Sequence, residues 1–440
     1  MLFCHGLPFY YWRNFHMKLN YKRTFFIGFA FLAISAFWQM YDNIIPLILQ
    51  NTFHLSESVI GVVMAIDNVL AVFLLPLIGT FSDKVDTPLG KRTPFILAGT
   101  AAAVIFMMML PAADKMGNII LFVVALGATL LAMAMYRSPA VALMPDLTPK
   151  PLRSKANAII NLMGAIGGVY TLILISTLVG EGKTPSYLPV FIGVAAIMIL
   201  SVIMLLCTTN EKKIAKQVAM EYPEQEEEVA TTPEGKLDPA VKKSLVLILL
   251  SVLFWFAAYN AVTTAFSRYA VTVWGMENGG YANCLMTATV AAIISYIPIG
   301  IIASKIGRKK TILIGIALMG SCFLMAACMP EYHPIINVGF CMIGFGWAAI
   351  GVNSLPMVVE MSKSGDIGKY TGLYYTFSMS AQIATPILSG LLLDFVSYRT
   401  LFPYAAVFSA LAFVTMSMVK HGDNRPEKKR DVLENFDVED

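Results

Sequence analysis

The feature that most limits what this chain can fold into is a series of twelve apolar stretches, each near 20 residues, parted by short polar segments. They lie near 24–49, 58–80, 94–113, 119–143, 157–179, 188–207, 244–266, 281–303, 311–330, 335–358, 369–393 and 400–419. About 20 apolar residues in a helix cross the hydrocarbon core of a bilayer. Lipid offers no hydrogen bonds, so a spanning segment satisfies its backbone internally, as a helix does. The expected fold is therefore all-α and membrane-embedded. The charged fraction supports this: it is 14% of 440 residues, where a soluble domain carries about 25%. So few charges cannot cover a water-facing surface, which makes the lipid bilayer an expected partner.

Counting spans alternately from a cytoplasmic N-terminus puts 27 of the 32 Lys and Arg on the cytoplasmic side, as the positive-inside rule demands. Lys115, Lys183, Arg268 and Arg399 fall outside, and Arg137 falls within span 4. A miscounted span would invert the bias beyond the error, and no inversion occurs. The expectation is a multi-pass protein of the cell (cytoplasmic) membrane with both termini cytoplasmic. Its segments are a cytoplasmic N-terminal stretch (1–23), a six-helix bundle (24–207), a cytoplasmic linker (208–243), a second six-helix bundle (244–419) and a tail (420–440). The linker holds Glu224, Glu226, Glu227 and Glu228 with Pro223 and Pro233. That composition suits a solvated connection; a regulatory docking segment is the alternative. The acidic tail from Glu434 to Asp440 has the composition of a disordered segment. Met17 opens a natural start before a first span, which makes residues 1–16 a candidate upstream extension. The first apolar stretch is too long for the core of a cleavable signal.

The two halves repeat a pattern. After span 2 the chain reads Gly79-Thr-Phe-Ser-Asp83-Lys84, then Gly90-Lys91-Arg92. After span 8 it reads Gly300-Ile-Ile-Ala-Ser304-Lys305-Ile-Gly307-Arg308-Lys309-Lys310. Both have the form G-x-x-x-[DS]-K…G-[RK]-[RK], which marks a duplicated six-helix unit. Glycine lets helices approach closely. Asp83 can cap or pair at a helix end, and the basic residues suit anionic headgroups. These loops, with Arg153, are candidate gating elements; simple obedience to the positive-inside rule is the plainer reading.

Charge within a span is costly and usually functional. Asp42 in span 1 and Asp67 in span 2 lie at similar depth, roughly 12–14 Å below the outer edge at 1.5 Å per residue. Burial and like charge each favour a protonated carboxyl, so either can be a proton carrier; each can also merely bind its neighbouring helix through Asn43 or Asn68. Arg137 in span 4 can grip hydroxyls or pair with a carboxylate such as Asp146. A sugar has an apolar C–H face and a polar rim, so its site pairs aromatic rings with amides or charges. Trp38 with Gln39, Tyr136 with Arg137, Trp255 with Tyr259 and Asn260, Trp347 with Asn353, and Tyr374, Tyr375 and Gln382 offer such pairs. Asn68, Asn157 and Asn161 add amides. These are the candidate substrate contacts, although most aromatic residues of such a chain serve packing or interface belts.

The paired loops resemble the signature loop of the major facilitator superfamily, over about 20 to 420. The longer stretch between Lys84 and Gly90 resembles the variant found in glycoside–pentoside–hexuronide cation symporters and in sucrose-transporter-like proteins (solute carrier family 45). Three stretches carry that likeness: Met64-Ala-Ile-Asp67-Asn68 through Pro76 to Gly90-Lys91-Arg92-Thr-Pro94; Tyr136-Arg137-Ser-Pro139 through Pro145-Asp146 to Arg153-Ser-Lys-Ala-Asn157; and Tyr370-Thr-Gly372-Leu-Tyr374-Tyr375. The resemblance implies two six-helix pseudo-repeats and proton-coupled uptake of a glucoside such as sucrose or maltose. It also makes Asp146, in an Ala-Leu-x-x-Asp-Leu context, a candidate for coupling or gating. Melibiose-type sodium symporters carry Asp where this chain has Leu75 and Arg137, which favours the proton over sodium.

No G-x-x-x-x-G-K-[ST] phosphate loop drives a pump. The six cysteines form no CxxC pair and no Cys/His metal spacing exists, so no cofactor, metal or enzymatic chemistry is expected. The leading expectation is a monomeric secondary sugar:proton symporter with no nucleic-acid partner. An exporter of drugs or metabolites, and a sodium-coupled glycoside symporter, are the alternatives.

Overall fold

The structure is a computed structural model, and it describes residues 19–149, 152–180, 185–221, 238–276, 279–361 and 367–423. The candidate upstream extension, Lys183, most of the acidic linker and the acidic tail lie outside the described residues. Among the described residues, twelve helices are long and apolar enough to cross a membrane. Spans 1 to 6 are Tyr21–Asn51, Glu57–Asp83, Thr93–Met116, Ile119–Asp146, Arg153–Leu178 and Leu188–Thr208. Spans 7 to 11 are Pro239–Trp274, Tyr281–Ile306, Arg308–Ala327, Ile336–Val359 and Ile367–Phe395; a single turn at Tyr398–Thr400 leads into span 12, Leu401–Ser417. A short linker helix, Glu211–Glu221, follows span 6. Among the described residues no strand exists, only an isolated bridge from Thr87 to Gly90.

Polar side chains set several helix starts by satisfying otherwise unpaired first-turn N–H groups. Asn20, Ser56, Asn118 and Asp238 accept from Arg23, Val59, Leu121 and Ala240. Large apolar side chains such as Phe73, Leu77, Ile120 and Phe395 face outward, where lipid covers them. Inside, small residues let helices touch. A Cβ on Gly167 would lie 2.1 Å from the Leu32 carbonyl oxygen, and one on Gly344 equally close to that of Ala288. These contacts bind span 1 to span 5 and span 8 to span 10. Spans 3 and 4, 9 and 10, and 7 and 12 form further close pairs. The two sets of six meet chiefly along spans 2 and 11, 5 and 8, and 1 and 7.

Span 7 departs most from expectation. Apolarity predicts it over 244–266, yet it runs from Pro239 to Trp274. Arg268, expected in an outer loop, is buried inside this helix. Glu57 of span 2 neutralises it at 2.8 Å, and Phe266, Tyr269 and Trp274 pack with Phe402 beyond it.

One membrane face carries the repeated basic loops. There Arg92, itself buried, donates from Nε to Asp146 at 2.8 Å and from its terminal nitrogens to Asp83 and Ser82. Lys84 ends span 2 and is exposed. The chain then turns tightly: Gly90 N donates to the Thr87 carbonyl at 3.1 Å, and Gly90 has φ +117°. The opened start of span 3 is capped from elsewhere. The carboxylate of Glu211 accepts from the backbone N–H groups of Lys91, Arg92 and Thr93 at 2.7–2.9 Å, and from the Thr93 hydroxyl at 2.7 Å. Negative charge at a helix N-terminus is favourable. The second half repeats the device. Gly307, at φ +93°, precedes span 9; Asp423, past span 12, accepts from Lys309 N at 2.9 Å; and Arg308 pairs with Glu360 at the end of span 10. Gly300 lies within span 8, two turns before this corner.

Gly90 is required twice, by its φ and by Glu211, whose carboxyl carbon would lie 2.3 Å from an added Cβ. Gly90→Ala should cost about 1–3 kcal/mol from backbone strain alone. It should lower the melting temperature of the purified protein more than Gly117→Ala, at whose position nothing lies within 4 Å.

Candidate functional site

A cavity of about 920 Å³ lies between the two sets of spans, near the upper end of the roughly 300–1,000 Å³ of small-molecule sites. Toward the basic face it reaches Met144, Pro145 and Arg153 at the ends of spans 4 and 5. Toward the opposite face spans 2 and 11 shut it: a Cβ on Gly61 would lie 2.1 Å from the Pro386 carbonyl oxygen.

Among the described residues, four charged ones line the cavity, Asp42, Asp67, Arg137 and Arg153, and all come from the first six spans. Asp42 and Asp67 lie close enough for one charge to act on the other, and Arg137 acts on Asp67. Asn68 donates to Asp67 Oδ1 at 2.9 Å. The Arg137 guanidinium stands 5.7 Å from the ring centre of Trp38, a cation–π distance. The register that sets Arg137 near Asp67 is fixed by the next residue: the Ser138 hydroxyl donates to the Leu75 carbonyl at 2.8 Å. Gly79, a turn along span 2, leaves room for it, since a Cβ there would sit 3.1 Å from Ser138 Oγ. Asn43 donates to the Gln39 carbonyl at 2.9 Å, and its buried Oδ1 has no hydrogen-bond partner among the described residues. Arg153 donates to the carbonyls of Pro145 and Thr148 at 2.9 and 3.2 Å, which ties the start of span 5 to the end of span 4.

The opposite wall has no charge among its lining residues. The rings of Tyr259 and Trp347 stack at 3.8 Å and 9°, forming one aromatic plate from spans 7 and 10. Asn260, Thr263, Thr264, Thr289, Tyr296, Tyr375 and Gln382 surround it with amides and hydroxyls. Such a wall presents a flat apolar face beside neutral hydrogen-bonding groups.

Trp38, Gln39, Asp42, Asp67, Asn68, Arg137, Asn157, Asn161, Tyr259, Asn260 and Gln382 thus meet around one cavity. Tyr136 and Tyr374 do not, and their expected place as substrate contacts is corrected. Tyr136 is fully buried and its hydroxyl donates to the Ala30 carbonyl at 2.8 Å. Successive helix residues point about 100° apart, so turning Arg137 into the cavity turns Tyr136 onto span 1. Tyr374 is buried against Ser354 at 2.9 Å, while its neighbour Tyr375 faces the cavity. Trp255 is likewise core, at 0% exposure. Asp146 is not a cavity residue; it joins Arg92 on the basic face. Sequence reasoning did not find Thr263, Thr264, Thr289 or Tyr296, because hydroxyls in a span carry no distinctive signal. It also missed the pairing of Glu57 with Arg268, although Arg268 stood out as a cation on the wrong side.

A sequence profile described as MFS/sugar transport protein matches residues 26–420. The chain belongs to that family. No curated protein matches it in sequence. Among solved structures it is similar to the nucleoside transporter NupG at TM-score 0.66 and 15% identity, over 90% of this chain and 100% of that one. It is similar to the peptide transporter POT bound to sulfate at 0.66 and 12%, over 91% and 95%, and to FucP in its outward conformation at 0.52 and 13%, over 91% and 99%. These likenesses show the fold: twelve spans of the major facilitator type.

If Arg92 organises the basic corner through both acids, Asp146→Asn should weaken one charge-assisted bond and cost about 1 kcal/mol of stability. Arg92→Lys, which cannot fork to two acids, should cost more. Thermal unfolding of the purified protein measures both.

Proposed function

We propose that this family member is a secondary active transporter that moves a small neutral sugar, of the glucoside or disaccharide class, together with a proton. The observation that carries the reading is the divided cavity. One wall holds two interacting acids beside an arginine, and the other holds a stacked aromatic plate ringed by neutral amides and hydroxyls. A plate and amides suit the two faces of a sugar, whereas a charged solute would meet no charged partner on the second wall. The acids suit a proton: like charge on two neighbouring carboxylates favours a proton on one of them.

The cycle is alternating access. The basic face is cytoplasmic, and the form described here opens toward it. A protonated acid at Asp42 or Asp67 frees Arg137 and its neighbours to receive sugar hydroxyls; loss of the proton restores the charge balance and favours release. The loops at 79–92 and 300–310 close the cytoplasmic side. The protein acts as a monomer in the cytoplasmic membrane, with both termini cytoplasmic. A sodium-coupled cycle remains the second reading for one reason: Asp42 and Asp67 offer oxygen ligands of the kind a hard cation takes. Among the described residues no group of three acids, histidines or cysteines could hold a metal ion, so such a site would draw on amide or hydroxyl oxygens as well.

Uptake of radiolabelled sucrose and maltose into proteoliposomes tests this, with an inside-alkaline pH gradient and with or without sodium. Gradient-driven, sodium-independent uptake is expected. Asp67→Asn or Asp42→Asn should abolish gradient-driven accumulation; whichever variant still exchanges sugar across the membrane marks the proton carrier. Failure to move either sugar, with cationic drugs carried instead, would turn the reading to an exporter.

A further inference from the structure

The face opposite the basic loops holds a set of contacts that the cavity does not use and that join the two sets of spans. Glu57, at the start of span 2, and Arg268, in span 7, form an ion pair in which both side chains are 3% exposed. Arg268 Nε donates to Glu57 Oε2 at 2.8 Å, and another guanidinium nitrogen donates to the Thr264 carbonyl at 2.8 Å. Tyr398, before span 12, donates to Glu57 Oε1, and its hydroxyl accepts from Gln50 of span 1 at 2.5 Å. Asp394, at the end of span 11, caps span 2 by accepting from the N–H groups of Glu57 and Ser58 at 2.7 and 2.6 Å. The backbones themselves touch beside these bonds: a Cβ on Gly390 would lie 2.5 Å from the Glu57 carbonyl oxygen, and one on Gly61 would lie 2.1 Å from that of Pro386.

We propose that Glu57, Arg268, Tyr398 and Asp394, closed over Gly61 and Gly390, form the outer gate of the transport cycle, and that separating them is what opens the cavity to the opposite face. This rests on the transporter reading above, though not on the identity of the solute or ion. Three properties distinguish a gate from a strut. First, the contacts run between spans 2 and 11 and between spans 2 and 7, where the two sets of six meet. Secondly, the bonds are polar and few, so water entering on separation can replace every one; a greasy seal would have no such substitute. Thirdly, two of the gate residues, Arg268 and Asp394, are wired to the cavity through one helix face each, since residues four apart share a face. On span 7, Asn260, Thr264 and Arg268 recur at that spacing, and the first two line the cavity. On span 11, Gln382, Pro386, Gly390 and Asp394 recur likewise, and Gln382 lines the cavity. A solute held by Asn260 and Gln382 therefore sits on the two helices that carry the gate.

Hydrogen exchange followed by mass spectrometry on the purified full chain, without any solute, tests the gate separately from the transport reading. Two variants attack it by different means. Arg268→Gln removes the ion pair. Gly390→Ala removes no bond and adds one methyl where the closed face has no room, while an open face would leave it in water. Both should speed exchange over residues 55–62 and 386–398 by about tenfold or more. Both should slow exchange over 142–149, as the cavity closes toward the basic face. Unchanged exchange at 55–62 in Gly390→Ala overturns the proposal, as does acceleration spread evenly over both faces in both variants, which is the signature of a static strut.

Discussion

The cost of an uncompensated charge in lipid organises this molecule. The charges deep within its spans line the cavity, as Asp42, Asp67 and Arg137 do, or find a partner across a helix boundary, as Arg268 does with Glu57. A buried ion pair contributes little net stability, because desolvation offsets attraction, yet losing one partner strands the other. Such pairs therefore fix which helices adjoin rather than how firmly the chain folds. Arg92 with Asp83 and Asp146 fixes spans 2, 3 and 4 in the same way at the basic face, where water reaches the acids and the arginine stays covered.

The fold was largely legible because lipid imposes a simple pattern. Twelve apolar stretches became twelve spanning helices, and their expected limits failed mainly where a charge is neutralised out of sight of the sequence. Span 7 shows why: Arg268 reads as a loop residue until Glu57, 211 residues away in the chain, is seen against it. The lining of the cavity was legible where a charge or amide lay in a span. It was not legible for helical phase. Tyr136 and Arg137 are neighbours, as are Tyr374 and Tyr375, and only one of each pair faces the cavity. A span without an amphipathic stripe gives little signal of which side faces in; span 4 is apolar over most of its surface, apart from Arg137 and a few hydroxyls.

The two halves share a backbone plan and differ in chemistry. The duplicated corner survives in detail: glycine at positive φ before spans 3 and 9, a carboxylate from beyond spans 6 and 12 at the following helix start, and an arginine paired with an acid at the end of spans 4 and 10. Within the cavity the duplication has been lost. Acids and arginines line the first half and aromatic rings with neutral polar groups line the second. Under the proposed function this division separates ion from solute: the first six spans handle charge and the second six handle shape.

The placement of these contacts bears on how the molecule can move. At the basic face the strongest clamps act within a half: Glu211 and Asp146 hold span 3, and Asp423 and Glu360 hold the start of span 9. They stiffen each half without binding it to the other. At the opposite face the bonds cross between halves, through Glu57 to Arg268 and Asp394 to span 2. Clamps inside each half permit it to move as a body, and bonds across one face hold that face shut. Opening there exchanges a small set of polar contacts for water and leaves each half's own packing intact, which is the energetic condition for two nearly balanced states. A seal of interdigitated leucines at the same place would bury far more apolar surface and weight the balance heavily toward closure.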